Sequence, residues 1–197
     1  MARRGSYAKG VAKREEILER ALDVIAREGF RRTSVKDLAE AVGLSQAGLL
    51  HYFGTKEQLF TEILRKRDEL DNAALGAATG DRTHDDAMRE GWVGVIRHNQ
   101  RVPGLVHLFA ALSVDAADAE HPAHDYFIER NRRLRETLAE AIEDRLDPRV
   151  DPETAGRLLQ AVADGLQLQW MLEPDLDMAA ATGALLDILV PPREDAT

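Results

Sequence analysis

Gly43-Leu44-Ser45-Gln46-Ala47-Gly48-Leu49-Leu50-His51-Tyr52-Phe53-Gly54-Thr55-Lys56-Glu57-Gln58-Leu59-Phe60 is the stretch whose reading decides the fold. Gly43 can take the left-handed conformation that ends a helix in a tight turn. Ser45 is a good N-cap for the next helix, because its hydroxyl can accept from a free backbone N–H. That helix runs from about Gln46 to Phe53, and Gly54 stops it. Leu49 and Phe53 lie four apart and face inward, while Gln46, His51 and Tyr52 point elsewhere. Thr55 opens a further helix with a capping box completed by Gln58. Upstream, Ser34 to Val42 reads as a helix with Val35, Leu38, Ala39 and Val42 as its apolar stripe. Two short helices joined by a Gly-centred turn form a helix-turn-helix, and the second is sized for the major groove of DNA.

The segment resembles the DNA-binding domain of the tetracycline-repressor (TetR) family of bacterial regulators. The residues that carry the resemblance are Gly29-Phe30, Thr33-Ser34, Leu38-Ala39, Gly43-Leu44-Ser45, His51-Tyr52-Phe53 and Thr55-Lys56-Glu57-Gln58-Leu59-Phe60. The resemblance covers roughly residues 11–65. One position departs from the pattern. The family usually has a Tyr before His-Tyr-Phe, and Leu50 stands there without the hydroxyl that commonly meets a phosphate.

The chain of 197 residues is long enough for one or two domains with a real core. It contains no Cys, so disulfides, thiolate metal sites and a Cys nucleophile are excluded. This agrees with a reducing cytoplasm. No apolar run approaches the roughly 18–20 residues that span a bilayer, so no membrane partner is expected. Met1 to Gly10 is basic but is not followed by an apolar region, which argues against a signal peptide. The net charge is −9, yet it is unevenly spread. Residues 1–56 hold 11 Lys/Arg and 7 Asp/Glu, a net of +4, and residues 57–197 carry −13. A basic head on an acidic body suits a protein that grips phosphates at one end.

Along the chain, residues 1–10 read as a disordered basic arm, and 11–56 as the helix-turn-helix domain. Its first helix runs from about Val11 to Glu28, with Ile17, Leu18, Ala21, Leu22 and Ile25 at helical spacing. A long helix over 56–78 links this head to the body, with the domain boundary in it or in the loop at 77–83. The body, residues 79–190, shows no strand pattern and reads as helices broken by Pro103, Pro122, Pro148, Pro152 and Pro174. Gly104 to Ala117 is nearly all apolar and is expected to be central and buried. Pro191-Pro192 opens a polar tail, residues 191–197. The fold class is all-α.

In the head, Gln46 is the best base reader, since Gln can pair bidentately with adenine. Ala47 and Gly48 let the backbone approach the groove, and Ser45 caps the reading helix. His51 and Tyr52 are polar and aromatic on a helix whose inner face is already filled, so they are expected to meet DNA, with packing as the bland alternative. Lys56 sits against the positive end of its helix dipole, a placement that makes sense opposite a phosphate. Thr33, Ser34 and Lys36 open the preceding helix and are expected to contact the DNA backbone. The resemblance implies the same positions, apart from Leu50.

A single head reads few bases, so a two-fold dimer on a palindromic operator is expected. The resemblance implies dimerisation through the last two long helices, with Leu166, Trp170, Leu185, Leu186 and Leu189 as interface candidates. Filling of the protomer's own core is the alternative for these residues. The resemblance also implies a small-molecule effector pocket in the body. Polar groups on apolar helices suit an amphipathic ligand. The candidates are Met88, Trp92, Asn99, His107, Phe109, Phe127, Asn131, Asp164, Gln167 and Trp170. His121-x-x-His124 with Asp125 is more simply a polar loop than a metal site. Gly43-x-Ser45-x-Ala47 lies between helices, so it is no nucleophile elbow. No cofactor, metal or catalytic residue is expected. The expected function is a DNA-binding regulator released by a small ligand. The alternatives are a constitutive regulator without an effector, or a helical enzyme or carrier with a DNA-binding head.

Overall fold

A computed structural model describes the backbone at residues 2–78 and 84–191, and side chains at 8–73 and 89–191. The basic side chains Arg3 and Arg4, the loop at 79–83, the Met88 side chain and the tail beyond Pro191 lie outside the described residues. Every described element is helical. The order is α1 (Ala2–Glu28), a 3-10 turn (Phe30–Arg32), α2 (Val35–Ala41), α3 (Gln46–Phe53) and α4 (Lys56–Ala78). Then follow α5 (His84–Asn99), α6 (Pro103–Asp115), α7 (His124–Ile142), a 3-10 turn (Glu143–Arg145), α8 (Pro152–Leu172) and α9 (Met178–Leu189). The all-α expectation holds. The segment expected to be a disordered arm is, from Ala2 onward, the start of α1.

The termini follow from short-range chemistry. Ser34, Ser45, Asp151 and Asp177 each accept a backbone N–H as N-caps of α2, α3, α8 and α9. Pro103 and Pro152 open α6 and α8, where a missing N–H costs nothing. Pro122 does not open α7. It lies in a run of turns in which Asp118 accepts from the Glu120 N–H and His121 Nδ1 from the Ala123 N–H. Gly43 has φ 68°, and Leu44 N–H reaches back to Ala39 O at 2.9 Å, closing α2 as a left-handed cap.

The chain forms two compact units that do not follow sequence order. The first is Met1–Leu70 with Val102–Tyr126, and the second is Asp71–Arg101 with Phe127–Thr197. In the first, Ile17 and Ile25 of α1, Leu38 of α2, Leu49 and Phe53 of α3, and Leu59, Ile63 and Leu64 of α4 are buried. Leu105, Val106 and Leu108 of α6 are buried in the same unit. A Cβ added at Gly104 would lie 1.9 Å from Ile25 O, so only glycine lets α6 approach the α1 backbone this closely. Tyr126 Oη donates to Asp68 on α4 at 2.6 Å. The sequence reading placed α6 in the body, with residues 79–190. Its burial was right, but it folds with the head, because an all-apolar helix carries no signal of which partner it will meet.

The second unit has its own core, built from Leu138 and Ile142 of α7, Ala155 and Leu159 of α8, and Leu186 and Leu189 of α9. Trp92, Val93, Leu134 and Leu185 pack against it.

Candidate nucleic-acid interface

The reading helix is held by caps at one end and a cation at the other. At its start, Gly48 N–H donates to Ser45 Oγ at 3.0 Å. This leaves the other first-turn N–H groups free to meet an anion. At its end, Arg14 of α1 donates to Tyr52 O at 2.6 Å and to Glu62 of α4 at 2.7 Å, with its guanidinium 4.5 Å from the Phe53 ring centroid. One Arg therefore ties α1, α3 and α4 together. Nothing in the sequence pointed to it, because its partners lie 38 and 48 residues away.

Inward, Leu49 and Phe53 are buried as their spacing required. Outward, Gln46, Ala47 and His51 are exposed, Gly48 and Tyr52 half-buried. The His51 and Tyr52 rings stand edge to face, with centroids 6.2 Å apart. Leu50 is half-buried, so it contributes apolar contact at a position with no hydrogen-bonding group.

Lys56 is exposed at the first turn of α4, and no acidic group pairs with it among the described residues. Its Nζ lies 5.6 Å from the Phe60 ring centroid. The capping box behind it is complete. Thr55 N–H donates to Gln58 Oε1 at 2.9 Å, and Gln58 N–H to Thr55 Oγ1 at 3.2 Å. Lys36 is also exposed, loosely paired with Glu40 at 3.6 Å.

Ser34 and Asp37 form a second capping box that the sequence reading did not complete. Ser34 N–H and Oγ both donate to Asp37 Oδ2, at 2.8 and 2.7 Å. These bonds hold the Asp37 carboxyl below the usual range, the Ser34 hydroxyl contributing most. Thr33 is a correction. It is 6% exposed and its Oγ1 donates to Gly29 O at 2.9 Å, so its hydroxyl braces the loop and does not face a phosphate.

The interface candidates on α8 and α9 sit mostly in the core of their own protomer. Leu166, Trp170, Leu186 and Leu189 are buried within the protomer, and Leu185 packs partly against the core. Trp170 Nε1 donates to Pro174 O at 3.1 Å, which makes it a brace for the turn after α8. The bare apolar residues of these helices are Leu158 (42% exposed), Leu168 (52%), Leu172 (84%) and Ile188 (69%). The three leucines share one face of α8 with Ala161 and Gly165 between them, at three- and four-residue steps. The period was visible in the sequence. Which stripe faced inward was not.

The effector candidates are divided. His107 and Phe109 belong to the first unit. There His107 Nδ1 sits 3.0 Å from Pro103 O, and Phe109 stacks under Arg67 at 5.2 Å. In the second unit Asn99, Phe127 and Gln167 are buried, and Asp164 lies 3.4 Å from Gln160. Trp92 Nε1 and Asn131 Oδ1 are buried without a hydrogen-bond partner. A groove of about 740 Å³ between α5 and α9 contains none of the candidates whose side chains are described.

Comparison with known proteins fits this geometry. The family description "Bacterial regulatory proteins, tetR family" matches residues 17–63, and "BetI-type transcriptional repressor, C-terminal" matches 108–190. The HTH-type transcriptional regulator BetI of Agrobacterium fabrum is 31% identical over 186 residues, covering 89% of this chain and 85% of its own length. RutR of Escherichia coli K12 is 42% identical over 55 residues, 28% of this chain and 26% of its own. Among solved structures, a TetR-family regulator from Rhodococcus sp. superposes with a TM-score of 0.72 at 20% identity, covering 90% of this chain and 98% of its own. A TetR regulator from Haloarcula marismortui reaches 0.73 at 19% identity, covering 91% and 99%. With a capped, outward-facing reading helix on an all-helical frame and a relative matched along most of both chains, this chain belongs to the TetR family of DNA-binding transcriptional regulators.

Proposed function

We propose that the protein is a repressor that binds a palindromic operator as a homodimer in the cytoplasm and leaves it when a small ligand binds the second unit. The observation that carries this reading is the N-terminal half of α3, where Gln46 and Ala47 are bare, together with the exposed Lys36 on α2 and Lys56 on α4. Gln46 reads a base edge, and the Ala47 methyl meets a thymine methyl. Ser34, Ser45, Gly48, Lys36, His51, Tyr52 and Lys56 set register on the phosphates. A lysine without an acidic partner keeps its full charge for displacing counterions.

Dimerisation is supported by the leucine stripe on α8 and by Ile188 on α9. A bare apolar face of this extent is costly in water unless it is covered. A second copy offers the matching stripe about a two-fold axis. An effector is supported by Trp92 Nε1 and Asn131 Oδ1. A buried polar atom without a partner costs about 1–3 kcal/mol, which a polar ligand can relieve. A ligand that favours the DNA-free form weakens DNA binding by the factor by which DNA weakens ligand binding.

Selection of bound sequences from random DNA, with and without cell extract, tests the reading. A palindrome whose enrichment falls when extract is present is the expected result. Enrichment of no sequence, or of one that extract never displaces, would refute operator recognition or ligand release respectively.

A further inference from the structure

The groove between α5 and α9 is closed by a salt bridge at one end and flanked by an unmade one at the other. Arg89 of α5 donates to Gly183 O at 3.2 Å, and its Nη1 lies 2.7 Å from Asp187 Oδ1 of α9. About three turns on, just past the end of α5, Gln100 Nε2 donates to Leu176 O at 3.1 Å, just before α9 begins. The two contacts fix the helices as antiparallel, so Arg97 and Asp177 line the same end of the groove. Neither makes an ion pair among the described residues. Asp177 Oδ1 accepts only the Ala180 N–H, as N-cap of α9. The floor between them is Ala180, Gly183 and Ala184, whose small side chains leave the space open.

We propose that this groove is a binding site for a small zwitterion, with its carboxylate on Arg97 and its ammonium group on Asp177. The chemistry follows from the lining. Arg89 and Asp187 satisfy each other, and Glu90 adds a further carboxylate on the α5 wall. A simple anion meets Asp177 and Glu90, and a simple cation meets Arg97. A molecule that carries both charges matches both free groups, and its methylenes lie on the Ala and Gly floor. Both residues are exposed, so each loses little hydration when it pairs. The site is separate from the apolar stripe, since Ile188 and the α8 leucines do not line it. It is also separate from the buried Trp92 and Asn131 atoms. Its failure therefore leaves the DNA-binding reading untouched.

The test is a ¹H–¹⁵N NMR titration of the full chain with 5-aminopentanoate, pentanoate and pentylamine. Saturable shifts of the Ala180, Gly183 and Ala184 amides with 5-aminopentanoate are expected. Pentanoate and pentylamine should bind about tenfold more weakly or worse, as should 5-aminopentanoate to Arg97→Gln or Asp177→Asn. Asn remains a good N-cap, so α9 should keep its start. If circular dichroism shows that Asp177→Asn loses helix, Arg97→Gln decides alone. Absence of saturable shifts, equal binding of pentanoate or pentylamine, or unchanged affinity in Arg97→Gln would each overturn the proposal.

Discussion

Helices α3 and α8 are both amphipathic, and both leave one face bare, but the faces differ in kind. On α3 the bare positions are Gln46, Ala47 and His51, and Lys56 is bare at the start of α4. Such groups stay hydrated at no cost until a duplex replaces the water. On α8 they are Leu158, Ala161, Leu168 and Leu172. Covering a large aliphatic side chain is worth about 1.5–3 kcal/mol, so this face gains from a permanent partner. The same contrast runs through the two units. The exposed large apolar residues of the first unit, such as Val11 and Val114, are scattered singly, which is ordinary for a protein surface. The second gathers them into a stripe and buries Trp92 Nε1 and Asn131 Oδ1 unpaired.

The largest effect is expected inside the head. Leu49 is fully buried beneath the reading face, and Leu49→Ala should cost about 2–5 kcal/mol of stability in denaturant unfolding. A negligible cost would mean that α3 is not anchored as described. On the body, Leu168→Glu with Leu172→Glu should leave helix content intact and yield monomers in sedimentation. Operator affinity should fall roughly a hundredfold or more with the loss of paired heads. Dimers that persist in this variant would place the interface elsewhere. A smaller effect is expected at Gln46. Gln46→Ala should relax preference at one operator position by about 1–3 kcal/mol, and an unaltered preference would remove Gln46 as a base reader. Lys56→Ala should weaken all duplexes alike, lowering the salt slope by roughly one for each head. An unchanged slope would show that no phosphate sits there.

The smallest effect concerns pH. The Asp37 carboxyl is held low by Ser34, so its capping bonds add stability above its unfolded pKa. That contribution disappears as pH falls through the lowered folded value, and Asp37→Asn should abolish it. In the second unit Asp147, held at about 2 by Arg149, should follow the same sign and titrate later in an acid series. An Asp37→Asn protein whose acid unfolding profile matches the parent would separate the cap from the acid response.

The sequence by itself determined the elements and their ends in the head. The bounds of α3, the Gly43 turn and the Thr55–Gln58 box all depend on residues within about one helical turn, and they are found as read. The exposed Gln46, Ala47, His51 and Lys56 were legible for the same reason. Once Leu49 and Phe53 are assigned inward, the helical period fixes what is left outside. Only the tertiary structure decided that α6 packs on α1, that Arg14 ties three helices together, and that Thr33 turns inward. It also decided that Leu158, Leu168 and Leu172 rather than Leu166 form the bare face of α8, and that Arg97 shares one end of a groove with Asp177. Helical periodicity is local chemistry, repeating every three to four residues. The choice of partner for an apolar face is settled by packing between segments tens of residues apart, and no local spacing encodes it.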